Sequence, residues 1–273
     1  MHKVVRDILR ILDGDTYPHR DYLPWRKTND PYKILVSEIM LQQTQVERVV
    51  PFYRAFLKKF PTAQALARAK LVDVLRVWQG LGYNRRARYL HDAAKMISAD
   101  FGGRFPREAA AIETLPGVGH YTARAVAAFA FNSREVFVET NIRTVIFHHY
   151  AHGATKLNDR ELLPIVADVL AHAGTEPRDL YARWMDYGAY LKKCGVRLNH
   201  KSAHYTKQTT FEGSTRQLRA AILRELLKKP ATSAQLSHSL KRKKEDIDRE
   251  LTDLQKDGLV IHTRNRFCIH GDQ

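Results

Sequence analysis

The 273 residues carry 45 Lys and Arg against 29 Asp and Glu, a formal net charge of +16, so the favoured partner is a polyanion, nucleic acid first. The length allows one large domain or two to three small ones with ample core. No apolar run approaches the roughly 18 residues a membrane-spanning helix needs, and two cysteines are too few for a metal cluster held by four thiolates.

Along the chain, Met1-His2-Lys3-Val4-Val5-Arg6-Asp7 lacks an apolar signal core and reads as a helix start, which implies a cytoplasmic protein, with the nucleoid if the source is bacterial or archaeal. Helical spacing dominates to about residue 205 and convincing period-two strands are absent, so this part is expected to be all-α. Asp30-Pro31 makes a helix start, Asp as N-cap and Pro at the first helical position, and Ile34, Leu35, Ile39 and Leu41 then surround Glu38. Desolvation among such neighbours favours the protonated carboxyl group, the form a general acid needs; a helix-face Glu paired with a base elsewhere fits the spacing equally well. Phe60-Pro61-Thr62, Phe105-Pro106 and Lys156-Leu157-Asn158-Asp159 mark further boundaries.

Arg107 to Thr114 is helix-compatible, and Leu115-Pro116-Gly117-Val118-Gly119-His120-Tyr121-Thr122-Ala123 then turns directly into another helix. Gly117 and Gly119 permit positive φ and close backbone approach, and the second helix opens with unpaired amides at its positive end, so this hairpin can hold a phosphate. An ordinary interhelical turn is the competing reading. Glu139 follows, bracketed by apolar residues and ahead of Asn141 and Arg143 at the start of another helix, where an anion is favoured. Two carboxyl groups, one protonated and one ionised, are what cleavage of a bond to a sugar carbon requires: one protonates the leaving group and the other stabilises an oxocarbenium-like transition state. His148 and His152 share a helix face with His149 between them, but no carboxylate motif flanks them, so solvated or DNA-facing histidines are read there rather than a metal site.

The polar stretch 207–214 reads as a linker. From Thr215 onward comes a helix, a break at Pro230, a short helix capped by Thr232 with Gln235 in a capping box, a longer helix from about 242 to 256 stopped by Gly258, and two short strands, Leu259 to Thr263 and Arg266 to Ile269, turning at Arg264-Asn265. That order is a winged helix, residues 215–273. Lys241-Arg242-Lys243-Lys244 opens its third helix, the one that commonly enters a major groove, and Lys243 and Lys244 are read as DNA contacts; a solvated basic run on an interaction module is the alternative.

The runs Leu23-Pro24-Trp25-Arg26, Ser37-Glu38-Ile39-Met40-Leu41-Gln42-Gln43-Thr44-Gln45-Val46, Trp78-Gln79-Gly80-Leu81-Gly82-Tyr83 and the hairpin resemble the adenine DNA glycosylase branch of the helix-hairpin-helix glycosylases, over roughly residues 20 to 190. The resemblance implies a two-lobed all-α glycosylase core at 1–206, one lobe spanning 31–134 and the other 1–30 plus 135–206, with the active site in the cleft. It implies that Glu38 protonates the departing adenine, that Gln42 and Tyr83 insert into the base stack, that Tyr121 and Asn141 support catalysis, and that Trp25, Arg26 and Asp186 hold the flipped base. Gly117, Gly119 and His120 fall on the phosphate-binding hairpin. The chain departs from the pattern in three places. Glu139 stands where the family has Asp. Lys192 stands at the first ligand position of the family's iron–sulfur loop and the other ligand cysteines are missing, so no cluster is expected. The winged helix replaces the domain that reads 8-oxoguanine.

Bifunctional relatives carry a Lys where this chain has Tyr121, and Tyr cannot form a Schiff base, so strand scission is not expected. The function implied is a monomeric, monofunctional glycosylase acting on double-stranded DNA, removing adenine opposite guanine or 8-oxoguanine. A thymine or uracil mismatch glycosylase, or a non-catalytic DNA-binding protein on the same scaffold, are the alternatives.

Overall fold

The structure is a computed structural model that describes residues 3–14, 16–150, 156–203 and 210–271. His152 and the first part of the 207–214 linker lie outside the described residues. The helices are α1 (Lys3–Asp13), α2 (Pro31–Leu41), α3 (Val46–Lys59), α4 (Ala63–Arg68), α5 (Leu71–Trp78), α6 (Arg85–Ala99), α7 (Ala109–Glu113), α8 (His120–Phe131), α9 (Thr140–His149), α10 (Asp159–His172), α11 (Pro177–Lys193), α12 (Thr215–Leu226), α13 (Ser233–Leu240) and α14 (Lys244–Lys256). Two short strands follow, β1 (Val260–Thr263) and β2 (Arg266–Ile269).

The chain forms two compact units, one of residues 1–35, 107–114 and 118–207, the other of 36–106, 115–117 and 208–273. This differs from the lobe boundary expected at residue 134, because α8 packs with the chain that follows it. Its alanines are the cause: Ala125 and Ala128 are fully buried in a core with Val145, Tyr181 and Trp184, and only a methyl-sized side chain lets the backbones approach that closely. In the same core α1 contributes Val5, Ile8 and Leu12, spaced by one helical turn each, and α10 contributes Val166 and Val169. Asn158 and Glu161 close a reciprocal capping box at the start of α10.

In the second unit α4, α5 and α6 surround Trp78, which is fully buried and donates its indole N–H to Gly82 O at 3.0 Å. The buried His91 ring contacts Ala69 O at 3.0 Å through Nε2, joining α6 to the end of α4. The C-terminal segment holds α12, α13 and α14 followed by the two strands. Thr232 and Gln235 form the capping box of α13, Lys241 ends that helix in the left-handed region, and Arg264 and Asn265, both at positive φ, make the tight turn between β1 and β2. A single antiparallel bridge joins Ala231 to Phe267, beside the two strands. Helix α14 begins at Lys244 rather than near 242, since Lys241 is needed as the left-handed cap of α13.

This C-terminal segment is not a free-standing appendage but belongs to the same compact unit as α6. Arg88 Nη1 donates to Asp257 O at 2.9 Å, Arg85 pairs with the Asp257 carboxylate at 3.2 Å, and Arg219 of α12 pairs with its other oxygen. Gly258 lies so close to Arg88 that a Cβ would fall 1.2 Å from Nη1. Among the described residues no helix is long and apolar enough to cross a membrane.

Candidate active site

Helix α2 starts as the Asp-Pro signal requires, with Tyr32 N and Lys33 N donating to Asp30 Oδ1 at 3.0 and 3.3 Å. It carries Glu38 into a buried position, 8% exposed, flanked along the helix by the buried Ile34, Leu35 and Ile39. The helix then ends in a turn in which Gln43 takes positive φ.

That turn and the Gly80–Tyr83 turn are held by one residue. Arg86, buried on α6, donates from Nη1 to Ile39 O, Met40 O and Gln42 O at 2.9, 2.8 and 2.6 Å, and from Nη2 to Gly82 O at 3.1 Å and Thr44 Oγ1 at 3.2 Å. It thereby satisfies carbonyls left open at the end of α2 and fixes the backbones of both Gln42 and Tyr83. Burial pulls its pKa down to about 10, so it remains a cation at neutral pH. The Tyr83 ring, on a residue with φ of 48°, has Arg86 on it at 5.3 Å and Arg216 of α12 at 5.5 Å, and Arg216 Nη1 donates to the Tyr83 hydroxyl at 2.7 Å.

The hairpin between α7 and α8 has one strained glycine, not two. Gly117 sits at φ of 75°, and a Cβ there would come 2.5 Å from Tyr89 Cβ. Gly119 is the N-cap of α8 in an extended conformation, φ of −93°, with nothing within 4 Å of a Cβ built on it. The expectation of positive φ at both glycines therefore holds only at Gly117; Gly119 instead keeps the exposed helix start uncovered. His120, exposed at the first position of α8, touches Arg124 at 2.6 Å and Glu113 at 3.3 Å. Tyr121, one residue on, packs edge-on against Phe137 at 5.6 Å.

Phe137 is in turn stacked on Tyr181 at 4.0 Å, and the Tyr181 hydroxyl donates to Glu135 O at 2.6 Å, so the segment leading to Glu139 is pinned to α11. Burial pushes the Tyr181 phenol well above its usual range, which keeps it a donor. Glu139 is the N-cap of α9. Its Oε1 accepts from Asn141 N at 2.6 Å and Ile142 N at 2.9 Å, and its Oε2 accepts from Asn141 Nδ2 at 3.1 Å. The helix start supplies amides and partial positive charge, an environment suited to a carboxylate.

Trp25 and Arg26 lie on a short 3-10 turn, Pro24–Lys27, and Arg26 grips the buried Asp186 with both terminal nitrogens, at 2.6 and 2.8 Å. Arg20 completes the site with N at 3.0 Å and Nε at 2.5 Å from the same carboxylate. Both Asp186 oxygens are thus engaged by arginines, so this trio is a buried ion-pair network first, and sequence reading missed Arg20 altogether. A cavity of about 440 Å³ opens beside Arg26 and Asp186, lined also by His19, Asp21 and Arg183.

Tyr121, Glu139, Asn141, Arg26 and Asp186 belong to one compact unit, and Glu38, Gln42, Tyr83, Lys243 and Lys244 to the other. Lys243 and Lys244 are exposed at the start of α14. His149, expected to be solvated or DNA-facing, instead shares a 2.9 Å hydrogen bond with the Tyr187 hydroxyl and stacks on that ring. Among the described residues no group of three or more His, Cys, Asp or Glu could hold a metal ion. Cys194 is exposed at the end of α11 while Cys268 is buried in β2, and two thiolates so placed do not fit a four-cysteine cluster. Hydrogen bonds close this part of the fold: Leu157 pairs with 201–203 through Leu157 N to Lys201 O and Ala203 N to Leu157 O, at 3.0 and 2.9 Å, and Thr144 donates to Asn199 Oδ1 at 3.2 Å.

The helical scaffold has an uncovered helix start after its Gly-Val-Gly turn and a carboxylate capping the next helix, and the chain belongs to the HhH-GPD superfamily of base excision DNA repair proteins, which it matches over residues 36–164. An adenine DNA glycosylase of Mycolicibacterium smegmatis is 38% identical over 97% of this chain and 96% of its own length. The adenine DNA glycosylase of Mycobacterium tuberculosis is 36% identical over 93% and 90%. Among solved structures, a thermostable thymine-DNA glycosylase superposes with a TM-score of 0.55 at 30% identity, covering 70% of this chain and 91% of that one.

Proposed function

We propose that the protein is a monofunctional DNA glycosylase that removes adenine mispaired with guanine or 8-oxoguanine in double-stranded DNA, acting as a monomer and without an iron–sulfur cluster. The observation that carries this reading is the similarity to adenine DNA glycosylases, which spans nearly the whole of both chains. Glu38 protonates the leaving purine, and Glu139, anionic at the start of α9, stabilises the cationic sugar as the bond breaks. Asn141 positions Glu139, and Tyr121 supports the reaction. Gln42 and Tyr83 enter the base stack while the target nucleotide is flipped, an extrusion costing a few kcal/mol. Trp25, and Arg26 braced by Asp186, contact the flipped base. The amides following Gly117 and Gly119, with His120, receive a backbone phosphate, and residues 215–273 form a winged helix whose Lys243 and Lys244 meet DNA.

With Tyr121 at the hairpin, release of the base leaves an intact abasic strand. The test is incubation of excess protein with duplexes carrying A, T or U opposite guanine, 8-oxoguanine and cytosine, each read with and without alkali. Alkali-dependent breaks at A opposite guanine or 8-oxoguanine are expected. The likeness to a thymine-DNA glycosylase favours one second reading, excision of T or U opposite guanine, and breaks confined to those duplexes would replace adenine as the substrate.

A further inference from the structure

Lys192 occupies the position at which the family pattern has a cluster ligand, and its side chain runs back toward the N-terminus of α9. Its Nζ donates to Asn141 Oδ1 at 2.7 Å, and the Asn141 amide Nδ2 donates to Glu139 Oε2 at 3.1 Å. The carboxamide is thus held at both ends, its oxygen by the Lys192 ammonium and its NH2 by the Glu139 carboxylate.

The backbone is built for this contact. At Gly188, one helical turn before Lys192 on α11, a Cβ would come 2.3 Å from Asn141 O, so the two helices touch main chain to main chain there. Such proximity lets a lysine four residues on reach the cap of α9. The half-buried ammonium senses the carboxylate as well: burial lowers the Lys192 pKa, and the charge of Glu139 pulls it back up, with Arg20, Arg143 and Arg197 nearby opposing. Arg143 is itself held by Asp159, with Nη2 at 2.8 and 2.9 Å from its two oxygens, which leaves Lys192 as the cation bonded to the Asn141 carboxamide.

We propose that Lys192 is a positioning residue of the excision site, orienting Asn141 so that its amide holds the Glu139 carboxylate in place for the developing sugar cation. This rests on the reading of the protein as a glycosylase whose ionised carboxylate is Glu139.

The test is a double-mutant cycle read by single-turnover excision of adenine opposite 8-oxoguanine, with Kd for the same duplex and the melting temperature measured alongside. Lys192→Met keeps the length of the side chain and removes the donor; it should lower the excision rate about 10- to 100-fold, the scale on which small displacements of a catalytic group act, with Kd changed less than about threefold. Lys192→Arg, which retains a donor, should recover most of that loss. On an Asn141→Ala background Lys192→Met should add nothing further, because its partner is gone. Rates that fall additively in the double variant, or a Lys192→Met protein that excises at the unmodified rate, overturn the inference alone. So does a covalent adduct with abasic DNA trapped by borohydride in the unmodified protein and lost in Lys192→Met, which would make the amine a nucleophile. An unmodified protein that excises no base overturns the glycosylase reading and this inference with it.

Discussion

Glu139 carries one methylene more than the aspartate expected at its position, and the structure shows where the extra length goes: the side chain curls back over its own helix start and accepts from three N–H groups. An aspartate is an equally good N-cap, so Glu139→Asp should fold normally, and its excision rate reports whether the longer reach is required. Glu139→Gln keeps the length and loses the charge; single-turnover excision should fall by at least about a hundredfold while the cap costs only about 1 kcal/mol of stability. If the buried Glu38 is the acid of the reaction, Glu38→Gln should abolish excision with duplex affinity retained. Equal rates for both variants and the unmodified protein would remove these carboxyl groups from the chemistry. His91 supplies a different kind of residue-scale prediction. Its pKa is lowered by burial, with Lys95 adding to the effect and the Ala69 carbonyl opposing it. The unfolded chain therefore takes up the proton first, and the stability present above about pH 6.5 should drain away as pH falls through the lower folded value. Urea titrations at pH 7.5 and 5.0 should show this loss, and His91→Gln should flatten the dependence; an unchanged slope would place the acid sensitivity elsewhere.

At the scale of elements, the two hairpin glycines make opposite predictions. Gly117 needs its positive φ and has Tyr89 against it, so Gly117→Ala should destabilise the fold by about 1–3 kcal/mol whatever it does to DNA binding. Gly119 is extended with open space around it, so Gly119→Asp meets no steric bar and gives α8 a side-chain cap and a favourable charge at its positive end. That variant should melt at the same or a slightly higher temperature; if the α8 start receives a phosphate, it should also bind duplex DNA at least about tenfold more weakly, because its carboxylate would occupy that position. Unchanged affinity would mean that the α8 start does not receive DNA. The hairpin, the Asp30 cap of α2, the capping box of α13 and the β1–β2 turn were all legible in the sequence because each is written in a few adjacent residues whose backbone preferences decide the outcome. What stayed hidden is long-range. Arg86 bonds to carbonyls 44 to 47 residues away, Lys192 to a residue 51 away, and Arg20 to a carboxylate 166 away. No local pattern distinguishes such an arginine from the many solvated ones in so basic a chain. The departure at Lys192 was visible as a missing ligand, but its partner could be found only once α9 and α11 were seen to touch at Gly188.

For the molecule as a whole, the net charge of +16 is a statement about salt. If duplex DNA is the partner, each lysine or arginine that neutralises a phosphate releases condensed counterions, and log Kd rises with log salt in proportion to the number of such contacts. The C-terminal segment belongs in this accounting because it is packed onto α6: Asp257 receives Arg85 and Arg219, its carbonyl receives Arg88, and Arg216 holds the Tyr83 hydroxyl. The segment belongs to the unit that carries Gln42 and Tyr83, so any contact its basic residues make with DNA would come without the cost of ordering a tether. Lys243 and Lys244 are exposed at the head of α14, and neither forms part of the Asp257 network, so replacing both by Gln should leave the melting temperature within about 1 °C. If α14 meets the duplex as the recognition helix of a winged helix does, the same double variant should lower the salt slope by about 2 and weaken binding to matched and mismatched duplexes alike, since phosphate contacts carry no sequence information. Fluorescence anisotropy from about 50 to 200 mM salt measures that slope directly. A slope unchanged by the double substitution would assign the basic run to solvent and leave the C-terminal segment the structural role of bracing Tyr83.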